Sequence, residues 1–176
     1  IFQDIPNNPP STRRMRIAMF QWLQLINQGY RIPGVINTDS HYNHHGSGWR
    51  RNWFASSTDD PAKISTDEMV QQVKSGHIIM STGPFLSVTG QSDSSPDLAI
   101  PGDTLAAPDG KVQLSVTVQC PNWLDVNRVQ VFINGQPSDK HNYTRRESPE
   151  LFGKLNAVQK FKSTFDLSID RDVHLI

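Results

Sequence analysis

Apolar and polar residues alternate along four segments in the second half of this 176-residue chain. A period of two places apolar side chains on one face of a strand and polar side chains on the other. The dipeptide Asn134-Gly135 follows the third of these segments and favours a tight hairpin turn. We therefore predict an all-β sandwich over residues 84–176. The alternating segments are residues 85–89, 112–118, 129–133 and 161–169.

Helical periodicity replaces the alternation in the first 83 residues. Residues 12–28 carry apolar side chains at steps of three and four and are followed by Gly29, which predicts an amphipathic helix packed on a core. A second helix is predicted to begin at the capping box of residues 65–68 and to end at Gly76. The apolar face of the first helix comprises Met15, Ala18, Met19, Trp22, Leu23 and Ile26.

Two short apolar segments, residues 32–37 and 77–82, alternate with these helices and are predicted strands. Residues 42–63 lie between them and are predicted to form one long loop, a length that is often functional. The N-terminal part is therefore predicted to be of the α/β class. We place the domain boundary at Gly83-Pro84, between residues 1–83 and 84–176.

Charge and cysteine content exclude several classes of protein. Seventeen Lys and Arg residues balance seventeen Asp and Glu residues, which argues against a general nucleic-acid binder. No apolar stretch approaches the roughly 18 residues of a membrane span, so no membrane partner is predicted. The single cysteine, Cys120, excludes an internal disulfide and a cysteine-based metal site, and we interpret it as structural.

Candidate metal ligands follow the predicted strand of residues 32–37. Asp39 and His41 are two positions apart, and alternate side chains of a strand point to the same side. A carboxylate and an imidazole are ligands that divalent metals accept. The alternative is a turn in which Asp39 caps its own backbone, and spacing alone favours that turn.

Basic and further histidine residues lie in the following loop. Arg50 and Arg51 stand between two tryptophans and are candidates for an anion pocket, because arginine offers paired donors to phosphate or carboxylate. A packed surface loop with exposed arginines is the alternative that spacing favours. The neighbouring His44 and His45 are read as part of a solvated loop, with a substrate contact as the alternative. Asp59-Asp60 precedes a proline and is read as the start of a turn.

Several motifs in a fixed order resemble the C-terminal part of the PHP (polymerase and histidinol phosphatase) superfamily, in the CehA/McbA-like branch. The motifs are Gly29-Tyr30-Arg31, GVINTDSH at 34–41, GWRRNW at 48–53, VKSGHIIMSTGPF at 73–85, Pro121-Asn122-Trp123 and Asn134-Gly135.

This resemblance implies the end of a distorted β/α barrel followed by an immunoglobulin-like sandwich that acts as an accessory domain. It implies a metal-dependent hydrolase of phosphoesters or related esters that uses Mn, Zn or Fe to activate water. Asp39 and His41 would be the last two metal ligands. Arg50 and Arg51, together with Asn52, would orient an anionic small-molecule substrate.

The family's other ligands, including an opening H-x-H motif, belong upstream of any residue of this chain. We therefore expect a fragment that is inactive alone, whose partner is the missing upstream barrel of the same protein. We also expect the sandwich to be truncated at its C-terminus, because the apolar residues 173–176 look like the start of a strand with a bare edge.

Three further interpretations stay open on sequence grounds. The chain could be a non-enzymatic adhesion or carbohydrate-binding module, for which Trp123 is the one tryptophan of the second half, although core packing is its commoner role. The intact protein could also be a degenerate enzyme that has lost its upstream ligands. Self-association of the fragment could bury the apolar face of the first helix.

Overall fold

The computed structural model describes residues 10–42 and 48–176, with side chains described from residue 17 onward. Strands dominate these ranges, so the chain is mostly β. The helices are α1 (Pro10–Asn27) and α2 (Thr66–Ser75), and short 3-10 turns cover Pro61–Lys63 and Pro149–Leu151. The strands are β1 (Arg51–Phe54), β2 (Ile78–Ser81), β3 (Phe85–Ser92), β4 (Ser95–Ala99), β5 (Lys111–Gln119), β6 (Arg128–Ile133), β7 (Gln136–Thr144) and β8 (Gln159–Ser168).

The described residues divide into two compact units, each made of separate segments of the chain. The larger unit contains residues 33–42, 48–126 and 150–170, and the smaller unit contains residues 10–32, 127–149 and 171–176. This division does not follow the boundary expected at Gly83-Pro84, and the assignment of 1–83 and 84–176 as domains stays a prediction.

The larger unit contains an antiparallel four-stranded sheet in the order β4-β3-β5-β8. Strand β5 lies inside the sheet, and alternate residues along it are buried, as the period-two pattern predicted. A sheet buried on one face needs this alternation, because successive side chains point to opposite faces. The buried apolar residues of β5 are Val112, Leu114, Val116 and Val118.

The same unit contains α2 and a second, two-stranded antiparallel sheet formed by β1 and β2. The Ser65 hydroxyl accepts a hydrogen bond from the backbone N–H of Glu68 at 3.3 Å, and Gly76 ends the helix with a φ of 77°. The predicted start and end of α2 are thus confirmed, although the Glu68 carboxylate accepts hydrogen bonds from Ser57 and completes no capping box with Ser65. The described residues do not show a barrel fragment, because β1 and β2 pair only with each other.

The smaller unit joins α1 to the β6–β7 hairpin. Asn134 and Gly135 both have positive φ, 50° and 75°, as a two-residue hairpin turn of this type requires, so the predicted turn is confirmed. Leu23, the most buried described residue of α1, packs against Gly135. None of the described helices combines the length and the hydrophobicity of a membrane-crossing segment.

The last residues of the chain pair with β6 instead of presenting the bare edge that we expected. The backbone of Ile176 exchanges two hydrogen bonds with that of Phe132, at 2.7 and 3.0 Å. The apolar pattern of residues 173–176 correctly indicated strand-like pairing, but the partner lies more than forty positions away along the chain.

Three other sequence predictions are wrong in detail. Residues 32–37 form no strand, because Pro33 has no N–H to donate and the backbone of Ile36 bonds a side chain instead. Strand β1 lies within the segment that was predicted to be one loop. Strands β4 and β7 were missed because their sequences, SPDLA and QPSDKHNYT, do not alternate cleanly between apolar and polar residues.

Candidate functional site

Asp39 and His41 meet at the surface of the larger unit. The Asp39 Oδ1 and His41 Nε2 atoms are 3.3 Å apart, and the two side chains are 84% and 72% exposed. The predicted convergence of this carboxylate and this imidazole is therefore present, in a position open to solvent.

The backbone reaches this arrangement by a turn, not by the strand end that we expected. Asp39 has a φ of 50°, in the left-handed region that Asp tolerates better than most residues. The side-chain oxygen of Asn37 accepts a hydrogen bond from the Asp39 N–H at 3.0 Å. This contact is the local side-chain-to-backbone bond of an Asx turn. The side chain that caps this turn is Asn37, not Asp39 as in the alternative to a metal site, and the turn occurs together with the approach of Asp39 to His41.

Asn52 anchors the segment that leads into this turn. Its side-chain Oδ1 accepts a hydrogen bond from the Ile36 N–H at 2.9 Å, and its Nδ2 donates to the Ile36 C=O at 2.8 Å. The Asn52 amide was expected to contact substrate, but both of its polar atoms are used within the protein. Its contribution to the site is the position of the backbone three residues before Asp39.

Arg50 and Arg51 differ in their surroundings. The Arg50 guanidinium carbon lies 4.6 Å from the centre of the Trp49 ring, a distance typical of a cation–π contact. Its Nε atom is buried and has no hydrogen-bond partner within the described residues. Arg51 is the exposed first residue of β1. An anion beside Arg50 would satisfy a donor that is otherwise buried without an acceptor.

The remaining charged candidates of this region contribute less. His44 and His45 lie outside the described residues. Asp60 caps the 3-10 turn by accepting the Ala62 N–H at 3.0 Å, and it pairs with Lys63 at 3.1 Å. No group of three or more His, Cys, Asp or Glu side chains converges anywhere in the part of the chain that the structure describes. Asp39 and His41 therefore form a pair that no third such side chain joins within the described ranges.

Two polar features near these segments were not found from the sequence. The Ser40 hydroxyl, between Asp39 and His41, is buried and has no hydrogen-bond partner in the described ranges. His77 bridges two elements through its Nδ1 contact with the Gln72 side-chain oxygen at 2.9 Å and its Nε2 contact with Asp103 at 2.8 Å. Long-range pairing of this kind leaves no spacing signal, because 26 positions separate His77 from Asp103.

The Asp103 carboxylate is held in its charged form. A backbone hydrogen bond from Ile100, at 2.9 Å, lowers the pKa of Asp103; partial burial opposes that shift, and His77 adds to it. The loop at Gly102 lies so close to Ser75 and Gly76 that any side chain there would overlap their backbone. His77 and Asp103 therefore tie this loop to the end of α2.

Cys120 is buried beside the loop that precedes β8, in agreement with a structural role. Its backbone N–H donates to Val158 at 3.0 Å, and burial raises the pKa of its thiol while the charge of Lys160 acts in the opposite direction. Lys160 occupies a β-bulge between β8 and β5 and is fully buried, with its Nζ atom donating to the Leu155 carbonyl at 2.6 Å.

Trp123 does not pack in the core, its commoner role in a β domain. The Trp123 side chain is 79% exposed, in the loop that follows β5. The hydrogen bond from Cys120 to Val158 joins this loop to the one that precedes β8. Leu155 and Val158 in that second loop are 62% and 60% exposed. Two neighbouring loops of the larger unit therefore present apolar side chains to solvent.

Comparison of the chain with protein-family models, with curated proteins and with solved structures gives no match.

Proposed function

We propose that the chain is the C-terminal portion of a metal-dependent hydrolase that acts on a phosphoester or related ester. The observation that carries this proposal is the 3.3 Å approach of Asp39 to His41 on an exposed turn. The motif order around these two residues supports it independently, through the resemblance to the PHP superfamily.

The donor set fits the proposed metal chemistry. An imidazole nitrogen and a carboxylate oxygen suit Zn, Mn or Fe, and both side chains have the exposure needed to accept further ligands from outside this chain. When bound, the metal supplies Lewis-acid activation of water and of the scissile ester. Asp39 and His41 would hold it together with residues of the missing upstream barrel.

The neighbouring residues have separate roles in this proposal. Arg50 and Arg51 bind the anionic part of the substrate, and the buried Nε donor of Arg50, which has no acceptor among the described residues, favours an anion there. Asn52 acts as a positioning residue, because its bonds to Ile36 fix the approach to the turn. The fragment alone remains inactive in this proposal, since two ligands are too few for a catalytic site.

Metal content of the full-length protein tests the proposal. Asp39→Ala and His41→Ala should each reduce the bound Zn or Mn measured by elemental analysis, and should abolish phosphodiesterase or esterase turnover. Asp59→Ala is the matched control, because Asp59 is an exposed carboxylate that pairs with no histidine in the described part of the chain. Unchanged metal loading in both of the first two variants would contradict the metal site.

The exposed Trp123 favours a second candidate function, carbohydrate binding by the β-rich part of the chain. A tryptophan ring presented to solvent can stack on the apolar face of a sugar, and Asn122 beside it supplies an exposed amide. A glycan array should show ligands that Trp123→Ala loses and that the control Trp49→Ala, in a different loop, retains. Absence of any glycan ligand for the wild-type chain would leave Trp123 without this role.

A further inference from the structure

The last four residues of the chain, 173–176, form a strap along the edge of β6 that faces away from β7. The Phe132 N–H donates to the Ile176 carbonyl at 2.7 Å, and the Ile176 N–H donates to the Phe132 carbonyl at 3.0 Å. The Asn134 N–H donates to the His174 carbonyl at 3.0 Å, and the Asn134 Oδ1 accepts the His174 N–H at 3.0 Å. Two pairs of hydrogen bonds therefore attach the strap to β6.

Asn134 links the strap to the rest of the smaller unit. Its backbone carbonyl accepts a hydrogen bond from the Asn27 side chain of α1 at 3.2 Å. It is also the first residue of the hairpin turn, where its φ is 50°. The position of His174 thus depends on the β6–β7 turn, to which both its N–H and its carbonyl are bonded.

The imidazole of His174 contains a buried atom that lacks a partner. His174 is half-buried, and its Nε2 atom is inaccessible and has no hydrogen-bond partner among the described residues. Burial lowers the pKa of His174. A neutral imidazole has one ring nitrogen without hydrogen, whereas an imidazolium carries an N–H on both. Protonation therefore produces a charged ring with an unsatisfied donor at Nε2, which is unfavourable in this position.

The charged groups around the strap do not offset a positive charge on His174, since burial alone accounts for its lowered pKa. The charged residues of α1 are arginines at positions 13, 14 and 16, about two turns or more before the Leu23 contact with Gly135. In β6, Arg128 donates to Asn142 and Gln130. The other titratable residues are Asp139, Lys140, His141 and Tyr143 in β7 and Asp170, Arg171 and Asp172 in the residues that lead to the strap.

We propose that residues 173–176 are a strap that acidification releases from β6 through protonation of His174. At neutral pH the His174 ring is uncharged, and the strap stays attached. As the pH falls, the detached ring gains a proton more readily than the attached ring, because water hydrates it. Detachment breaks both pairs of hydrogen bonds and leaves the backbone groups of Phe132 and Asn134 on an open strand edge.

The sign and size of the effect follow from proton linkage. The pKa of His174 is lower in the attached strap than the value of 6.5 for a hydrated ring. The equilibrium constant for detachment should therefore rise as the pH falls below about 6.5, by up to about tenfold per pH unit. It should level off below the pKa of the attached ring, where both states are protonated.

Amide hydrogen exchange measured by NMR at about pH 7.5 and about pH 5 tests the proposal. Protection factors, which correct for the intrinsic pH dependence of exchange, should fall roughly tenfold at the lower pH for the amides of Phe132, Asn134 and Ile176. Those of Val129 and Tyr143, which face each other between β6 and β7, should change little. Circular dichroism checks that the chain is folded at both pH values.

Two variants and one direct titration separate His174 from the other groups. His174→Gln has a polar side chain that stays neutral, and it should keep the strap amides equally protected at both pH values. His141→Gln is the matched control, because His141 is another buried histidine of the smaller unit, and it should leave the response of the strap unchanged. NMR titration of the His174 ring in the wild type needs no variant and should give a pKa below 6.5.

Four results would overturn the proposal. The strap amides of the wild type could be equally protected at both pH values, or unprotected already at the higher one. The loss of protection could persist in full in His174→Gln. The pKa of the His174 ring could be no lower than that of a hydrated imidazole. Finally, an equal loss at Val129 and Tyr143 would show that the whole hairpin unfolds and that the strap is not released by itself.

Discussion

Asn52 and Ile36 exchange two hydrogen bonds, with the Asn52 amide using both its oxygen and its nitrogen on the backbone of Ile36. The side chain of a β1 residue thus supplies to the backbone of Ile36 the two hydrogen bonds that a neighbouring strand would supply in a sheet. This contact explains how a segment that contains a proline and forms no strand can still carry Asp39 and His41 in a defined place.

Replacement of Asn52 by Ala should therefore destabilise the larger unit and loosen the Asp39 turn. Loss of two partly buried hydrogen bonds predicts a decrease of about 1–3 kcal/mol in the free energy of unfolding, measured with urea. The exposed Asn156→Ala is the control and should change stability little. Equal stability of the two variants would show that the Ile36 contact contributes nothing.

Gly102 should tolerate no side chain. Its φ of 100° disfavours any L-residue, and an added Cβ would overlap the backbone of Ser75 and Gly76. We expect Gly102→Ala to lower the unfolding free energy by about 1–3 kcal/mol. Gly29→Ala is the matched control, because Gly29 has a similar φ of 89° but open space around it. A loss of stability no larger than that of Gly29→Ala would exclude the steric contribution.

Asp103 should make the stability of the larger unit depend on pH in the acid range. The pKa of Asp103 is lowered, chiefly by the Ile100 N–H, so its contribution is present above the unfolded pKa of about 3.9 and is lost as pH falls through the folded value. Asp103→Asn should be less stable than the wild type at pH 7. The stabilities of the two proteins, measured by denaturant titration, should converge as the pH falls below the folded-state pKa of Asp103; a constant difference would contradict the linkage.

His141 should destabilise the smaller unit on acidification. Burial lowers the pKa of His141, and the charge of Lys140 adds to this effect, so the unfolded state binds more protons below about pH 6.5. Stability should therefore fall as pH decreases from 7 towards 5. His141→Phe should show a shallower decrease in melting temperature over this range. The prediction fails if the two slopes are equal, since His174, whose pKa is also lowered by burial, would then account for the effect.

Local sequence patterns predicted helices, turns and strands well where a single residue type, or the alternation of apolar and polar residues, is enough to specify them. Ser65 and Gly76 mark the ends of α2, Asn134-Gly135 marks the hairpin, and the alternation of β5 marks a sheet with one buried face. Strand β7 was not predicted because its sequence is mostly polar, and such a segment forms a strand only through its hydrogen bonds to β6. The sequence left the role of Trp123 open between binding and core packing, because the exposure of its side chain depends on how the surrounding loops pack.

The sequence could identify the two residues of the candidate site, but it could not predict how their side chains are arranged. Asp39 and His41 could be named from their spacing and from the motif order, yet their approach depends on an Asx turn and a left-handed Asp39. The sequence could indicate Arg50 as a residue that binds an anion, but the burial of its Nε donor depends on the fold.

The ends of α2, the hairpin turn and the burial pattern of β5 follow from the amino-acid sequence, because hydrogen bonds and periodicity within a few residues control those features. The contacts of Asn52 with Ile36, of His77 with Asp103 and of Ile176 with Phe132 arise only in the folded chain. These contacts join residues far apart along the chain, and their partners are selected by how the whole sheet and its loops pack.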